Sequence, residues 1–135
     1  MKKKIVTASI VVFVLFILMD YLVHGLLLSG LYAETASLWR APEVLGGLMW
    51  IFWVVDAAMA FLLVWLFAKG WEAGKPWLGQ GVRFGLVLGL LFSLPMGFSM
   101  YAMLPIPLAL GLGWFASGLV TFVVGSVTAA WVFRK

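Results

Sequence analysis

The chain has 135 residues and a mean hydropathy of +1.15, and only 10% of its residues are charged. A soluble domain carries about 25% charged residues, so the composition excludes a soluble globular protein and indicates a membrane protein. The absence of cysteine excludes disulfides and thiolate metal sites. The net charge of +4 does not indicate a nucleic-acid partner, because the cations cluster at the ends of apolar runs, where they set membrane topology.

Four apolar runs predict four membrane spans at about residues 5–28, 43–68, 81–104 and 108–133. Each is close to the ~20 residues that a bilayer-crossing helix needs. The first run follows three lysines, as a signal peptide does. It is, however, too long for such a leader, contains Asp20 and lacks a small-residue cleavage site. We therefore expect an all-α membrane protein with a single domain over residues 1–135, in which four transmembrane helices form two antiparallel hairpins.

The connections are short, and two prolines mark the helices. Pro42 suits the first turn of the second span, where its missing N–H has no cost. Pro95 lies inside the third span and is expected to kink it or to free a backbone carbonyl. The connection over residues 105–107 is too short for anything but an antiparallel turn.

The cations are distributed unequally between the two sides of these spans. Only Arg40 falls on one side, and eight cations fall on the other: Lys2, Lys3, Lys4, Lys69, Lys75, Arg83, Arg134 and Lys135. The positive-inside rule predicts that both termini are cytoplasmic and that the loop over residues 29–41 faces outward.

Small residues recur at every fourth position in the last two spans. The third span carries Gly81, Gly85, Gly89, Ser93 and Gly97, and the fourth carries Ser117, Gly118, Thr121, Gly125 and Ala129. Such ridges let membrane helices approach closely. They favour a tight hairpin within one chain, and they also suit a dimer face or a docking ridge for another membrane subunit.

Three segments carry a resemblance to a known pattern: Arg83-Phe84-Gly85, the run from Tyr101 to Pro107, and Trp114-Phe115. Over mainly residues 80–135 the chain resembles a family of small four-span bacterial inner-membrane proteins of unassigned function. The resemblance implies a multi-pass protein of the bacterial inner membrane, and it implies no mechanism.

The residues that invite a functional interpretation are Asp20, His24 and Asp56, because ionisable groups inside a membrane are costly. Asp20 and His24 are four residues apart and share one face of a helix. At ~1.5 Å per residue, His24, Asp20 and Asp56 lie about 6, 12 and 18 Å from the outer ends of their spans. This order predicts a descending series of titratable groups. At the outer surface above it, the candidates for ion pairing are Arg40, Glu43 and Glu34.

Two interpretations of these groups remain open. In the functional one they form a proton or cation path, since carboxylates and histidine exchange protons and such chains occur in pumps and transporters. In the structural one Asp20 bonds His24, while Asp56 bonds a serine, a threonine or a tryptophan N–H. The structural interpretation also allows both aspartates to be protonated, so that neither carries a charge. A metal site is a weaker alternative, because these three residues offer only one imidazole and two carboxylates as metal ligands. The sequence indicates no cofactor.

Tryptophan and methionine side chains are assigned to other roles. Tyr32 and Trp39 fit an interfacial belt. Trp114 lies deeper and is assigned to packing or lipid contact, and so is Met96, which recurs at helical spacing with two further methionines.

The first functional hypothesis is a non-enzymatic accessory or assembly subunit of a larger membrane complex, because the chain has tiny loops and no complete catalytic set. The alternative is a small proton- or cation-coupled transporter or channel that uses Asp20, His24 and Asp56, which would require a dimer. A second alternative is a metal-dependent membrane enzyme at the same residues. The expected partners are the lipid bilayer and either other membrane subunits or a second copy of the chain.

Overall fold

The computed structural model describes all 135 residues and is entirely helical. Its elements are α1 (Lys2–Leu27), α2 (Ser29–Glu34), α3 (Pro42–Lys69), α4 (Trp77–Met103) and α5 (Leu108–Phe133), with a 3₁₀ turn at Ala36–Leu38. All except α2 are long and apolar enough to cross a membrane. The prediction of an all-α protein with four such helices is confirmed. The third begins at residue 77 rather than 81, directly after Pro76.

Two of the long helices contain a π-helical segment near one end. In α1 the α-helix ends at Asp20 and Tyr21–Leu27 is π-helical. In α4 the segment Pro95–Ser99 is π-helical, and α-helix resumes over Met100–Met103. Pro95 lacks the N–H that an α-helix needs at this point, and the helix continues through wider turns. Pro95 therefore changes the type of helix without ending it.

The connection between α3 and α4 is fastened by the buried side chain of Gln80. Its amide donates to the carbonyls of Glu72 and Lys75 and accepts the Glu72 N–H at 2.9 Å. Gly74 has a φ of 88°, which favours glycine. The loop is thus a defined turn, and Lys75 and Glu72 form the one salt bridge of the structure there.

The most extensive packing in the molecule is between α4 and α5. All five small residues of the α4 ridge are buried: Gly81, Gly85, Gly89, Ser93 and Gly97. A Cβ at Gly85 would lie 2.6 Å from Val123 Cα, and one at Gly97 would lie 2.7 Å from Gly111 O. At these glycines the backbones of α4 and α5 are in van der Waals contact, and only the glycine hydrogen atoms lie between them.

The small residues of α5 are divided between different neighbours. Gly118 faces Ser93 of α4, whereas Gly125 faces Phe16 of α1. Ala129 is fully buried in the core. Because α5 contacts both α1 and α4, its ridge does not pair with the α4 ridge alone.

The core lies near the ends of the helices that carry both chain termini. It is a cluster of ten buried residues from α1, α3 and α5: Ala8, Val12, Phe16, Ala60, Leu63, Val64, Phe67, Ala129, Ala130 and Phe133. A smaller cluster of Ile106, Leu110 and Trp114 forms near the start of α5. Between them, α3 has no buried residue over positions 42–59. The bundle is thus closed at one end, while the outer half of α3, before Asp56 and Met59 reach the other helices, stands free of it.

We expect Gly85→Ala to destabilise the protein by about 1–3 kcal/mol, because the new methyl group would meet backbone atoms that cannot rotate away. Gly46→Ala is the matched control, since a Cβ there has no neighbour within 4 Å. The measurement is thermal unfolding of both variants in the same detergent. Equal unfolding temperatures would contradict the close contact between α4 and α5.

Candidate functional site

A cavity of about 180 Å³ lies between α1, α3, α4 and α5. Its polar lining consists of Asp20, His24, Asp56, Ser117 and Thr121. The remaining lining is aromatic, thioether or small: Phe16, Val23, Met59, Met96, Trp114, Gly118 and Phe122. The structure thus brings all three ionisable residues singled out from the sequence into one cavity, together with two hydroxyl residues of the α5 ridge.

Helix geometry explains how these side chains meet. Asp20 is the last residue before the π-helical segment of α1, and His24 lies within that segment. Asp56 lies one turn before Ala60, the first buried residue of α3. Since α1 and α3 pack against each other, the point where their packing ends is also the point where the carboxyl groups reach the same cavity.

The side chains of Asp20 from α1 and Asp56 from α3 line the same cavity. Carboxylate oxygens only accept hydrogen bonds, so two carboxyl groups can bond each other only if at least one of them is protonated. Two carboxyl groups that share one proton are a known arrangement in enzyme sites, where the contact prevents both from being ionised together. The pair is therefore a candidate site for binding and releasing a proton.

The depths predicted for the two carboxyl groups along the membrane normal stay a prediction. Asp56 was placed about 6 Å deeper than Asp20 at ~1.5 Å per residue, and both side chains line the same cavity in the structure. The structural interpretation differs in one respect, since Asp20 makes no hydrogen bond or salt bridge to His24.

His24 bonds Tyr32 of α2 instead, with 2.7 Å between Nδ1 and the Tyr32 Oη. The same oxygen accepts the Trp114 Nε1–H at 2.6 Å. Tryptophan can only donate, so Tyr32 is the acceptor of that bond. In the bond to His24, the imidazole tautomer determines which partner donates. Burial raises the pKa of Tyr32 above its usual value.

An aromatic cap covers this end of the molecule. Trp39 packs edge-to-face against Tyr32 and Trp114, with ring centroids 5.7 and 6.2 Å away. Its indole N–H donates to the Thr35 hydroxyl, which donates to the Leu31 carbonyl. Sequence reasoning assigned these rings to a lipid interface or to packing. A buried tyrosine or tryptophan needs a polar partner, and His24 lies eight residues before Tyr32 in the sequence. These two facts together could have predicted the bond between them.

The predicted surface ion pairs are not formed. Arg40, Glu43 and Glu34 are all exposed, and none of them makes a salt bridge. Exposed pairs gain little in water, so nothing holds these long side chains together. Nor does any group of three His, Asp or Glu side chains adopt an arrangement that could hold a metal ion.

Fold and cavity together define a multi-pass membrane protein in which two aspartate side chains line one cavity between four helices. In comparisons with protein-family models, curated proteins and solved structures, nothing matched this chain. Functional inference therefore rests on the chemistry of the cavity and its aromatic cap.

We expect Tyr32→Phe to destabilise the protein by about 1–3 kcal/mol, because it leaves the Trp114 N–H and His24 Nδ1 without their shared partner. Tyr21→Phe is the matched control, since Tyr21 is 66% exposed and makes no side-chain hydrogen bond. The measurement is the free energy of unfolding by denaturant titration. If both variants lose the same amount, the hydroxyl of Tyr32 does not hold the cap together.

Proposed function

We propose that this protein is a small proton-coupled transporter of the bacterial inner membrane, with the Asp20–Asp56 pair as its proton-binding site. The observation that carries the proposal is the presence of these two carboxyl groups, together with His24, in the lining of one cavity. Ionisable residues that meet inside a membrane bundle and border a cavity are typical of proton pathways.

A purely structural role for the pair is less economical. Helix association in a membrane is served by small residues and by neutral hydrogen bonds, and α4 and α5 already use the first of these. A carboxyl pair adds a net negative charge that a serine or asparagine contact would avoid. A cavity that admits water next to the pair supplies what proton exchange needs, namely a solvent that can accept and return the proton.

The topology completes the proposal. We place the spans in two antiparallel hairpins with both termini in the cytoplasm, since eight of the nine cations then lie inside. The aromatic cap formed by Tyr32, Trp39 and Trp114 is then on the outer side. His24 lies between this cap and the carboxyl pair, which makes it the outer proton donor or acceptor of the path.

The free half of α3 favours a second candidate, an accessory subunit that docks to another membrane protein. It includes Gly46 and Gly47, neither of which has a neighbour within 4 Å of a built Cβ. This surface also suits a second copy of the chain, which a transporter needs because four helices enclose only part of a path. The two candidates differ in whether the purified chain moves protons alone.

The expected result for vesicles that contain only this chain is proton uptake under a pH gradient, reported by an entrapped pH dye. Asp20→Asn and Asp56→Asn each leave one carboxyl group beside an amide, so the two side chains can no longer share and pass on a proton, and uptake should fall to the level of empty vesicles. Glu43→Gln is the matched control, because Glu43 is exposed and outside the cavity. Uptake that survives in both Asn variants would exclude the carboxyl pair. Uptake that requires a co-extracted subunit would favour the accessory role.

Orientation can be tested by labelling, because the chain contains no cysteine to remove. We expect Ser37→Cys to react with an impermeant thiol reagent added to intact cells, and Ala73→Cys to react only after the membrane is opened. Both positions are exposed in the structure, so accessibility depends on the side of the membrane. The reverse pattern would place the termini outside.

A further inference from the structure

The lining of the cavity combines two features. One is the pair of acidic side chains Asp20 and Asp56. The other is a wall of aromatic and thioether groups contributed by Phe16, Trp114, Phe122 and Met96. Aromatic rings attract cations through their quadrupole, and quaternary ammonium ions are the ligands most often held by aromatic groups.

We propose that the cavity binds a small organic cation, an ammonium ion that carries methyl or short alkyl groups, between the Asp20–Asp56 pair and the aromatic wall. This inference rests on the transport function proposed above and names the substrate class of that site.

Other ligand classes fit the cavity less well. An anion would meet the negative pair, and no lysine or arginine lines the cavity. A hard metal ion requires about six oxygen ligands, and no cluster of three ligand groups exists in the structure. A neutral apolar molecule would leave the carboxyl groups without a counter-charge. An organic cation balances the charge of the Asp20–Asp56 pair and also packs against the aromatic wall.

The size of the cavity limits the ligand. Its volume is about 180 Å³, whereas an engineered protein cavity of about 150 Å³ holds benzene. The ligand therefore has little more volume than a six-membered ring, which suits tetramethylammonium or choline and excludes large multi-ring cations.

Binding and proton release are coupled by charge. In the proposed exchange the empty pair holds one proton and carries a net charge of −1. If that proton leaves to water as one ammonium ion enters, the net charge of the occupied cavity is still −1. The titratable groups that face this exchange are Asp20 and His24 from α1 and Asp56 from α3. The lining residues of α4 and α5 do not titrate, and Tyr32 of α2 reaches the site through its bonds to His24 and Trp114.

The test is calorimetric titration of the purified full-length protein with choline. The comparison ligand is 3,3-dimethylbutan-1-ol, which has the shape of choline without its charge. We expect saturable binding of choline, no binding of the alcohol, and release of a proton into a weakly buffered solution. Binding of the alcohol as tightly as choline would overturn the proposal with the wild-type protein alone.

Variants separate the two parts of the site. Phe122→Leu should weaken choline binding by about tenfold through the lost cation–π contact. Phe98→Leu is the matched control, because Phe98 pairs with Phe115 outside the cavity. Asp20→Asn should bind choline without releasing a proton, because Asp56 is then the only carboxyl group and has no shared proton to give up. Equal affinity of the two phenylalanine variants, or proton release by Asp20→Asn, would contradict the assigned site.

The same protein in vesicles separates this inference from the transport function. A wild type that moves protons but does not bind choline overturns the ligand class and leaves the proton site standing. A wild type that binds choline without releasing a proton supports the ligand class and overturns the coupling. A wild type that does neither overturns both.

Discussion

The presence of two carboxyl groups in one cavity of a membrane-spanning bundle is the constraint on which the rest of the molecule depends. Such groups need a proton or a counter-charge, polar neighbours and a region from which lipid is excluded. The structure supplies the last two. Ser117 and Thr121 line the cavity beside Asp20 and Asp56, and α5 lies against α1 on one side of it.

The close packing of α4 and α5 determines the shape of that cavity. Along most of their length the two backbones are separated only by small residues such as Gly85 and Gly97. The cavity lies beside α1, where α5 carries the small side chains Ser117 and Thr121 and where α4 becomes π-helical from Pro95. The most compact and the most open parts of the protein thus lie on the same pair of helices.

Much of the architecture was predictable, because hydropathy and helix length are local properties of the chain. The four helices and the involvement of small residues in helix contact followed from composition and spacing. The placement of Asp20 and Asp56 in one cavity did not follow, since it depends on how α1 and α3 rotate and slide against each other.

The partners of His24 were missed for a related reason. Interfacial position is a good guide to where Tyr32 and Trp39 lie, but it does not show which polar group each ring meets. The short helix α2 folds back over the start of α5, and only this three-dimensional return brings Tyr32 between His24 and Trp114. A loop of about twelve residues has many routes, and its sequence alone does not select one.

The free half of α3 has a mechanical consequence. α3 is held by the core through Ala60, Leu63, Val64 and Phe67, while the preceding four to five turns have no buried residue. A rod that is clamped at one end bends or swings about the edge of its clamp, and Asp56 lies at that edge. A sideways force on the outer part of α3, from lipid or from a neighbouring protein, therefore bends the helix near Asp56. The first side chain to shift relative to α1 is then Asp56, which faces Asp20 across the cavity.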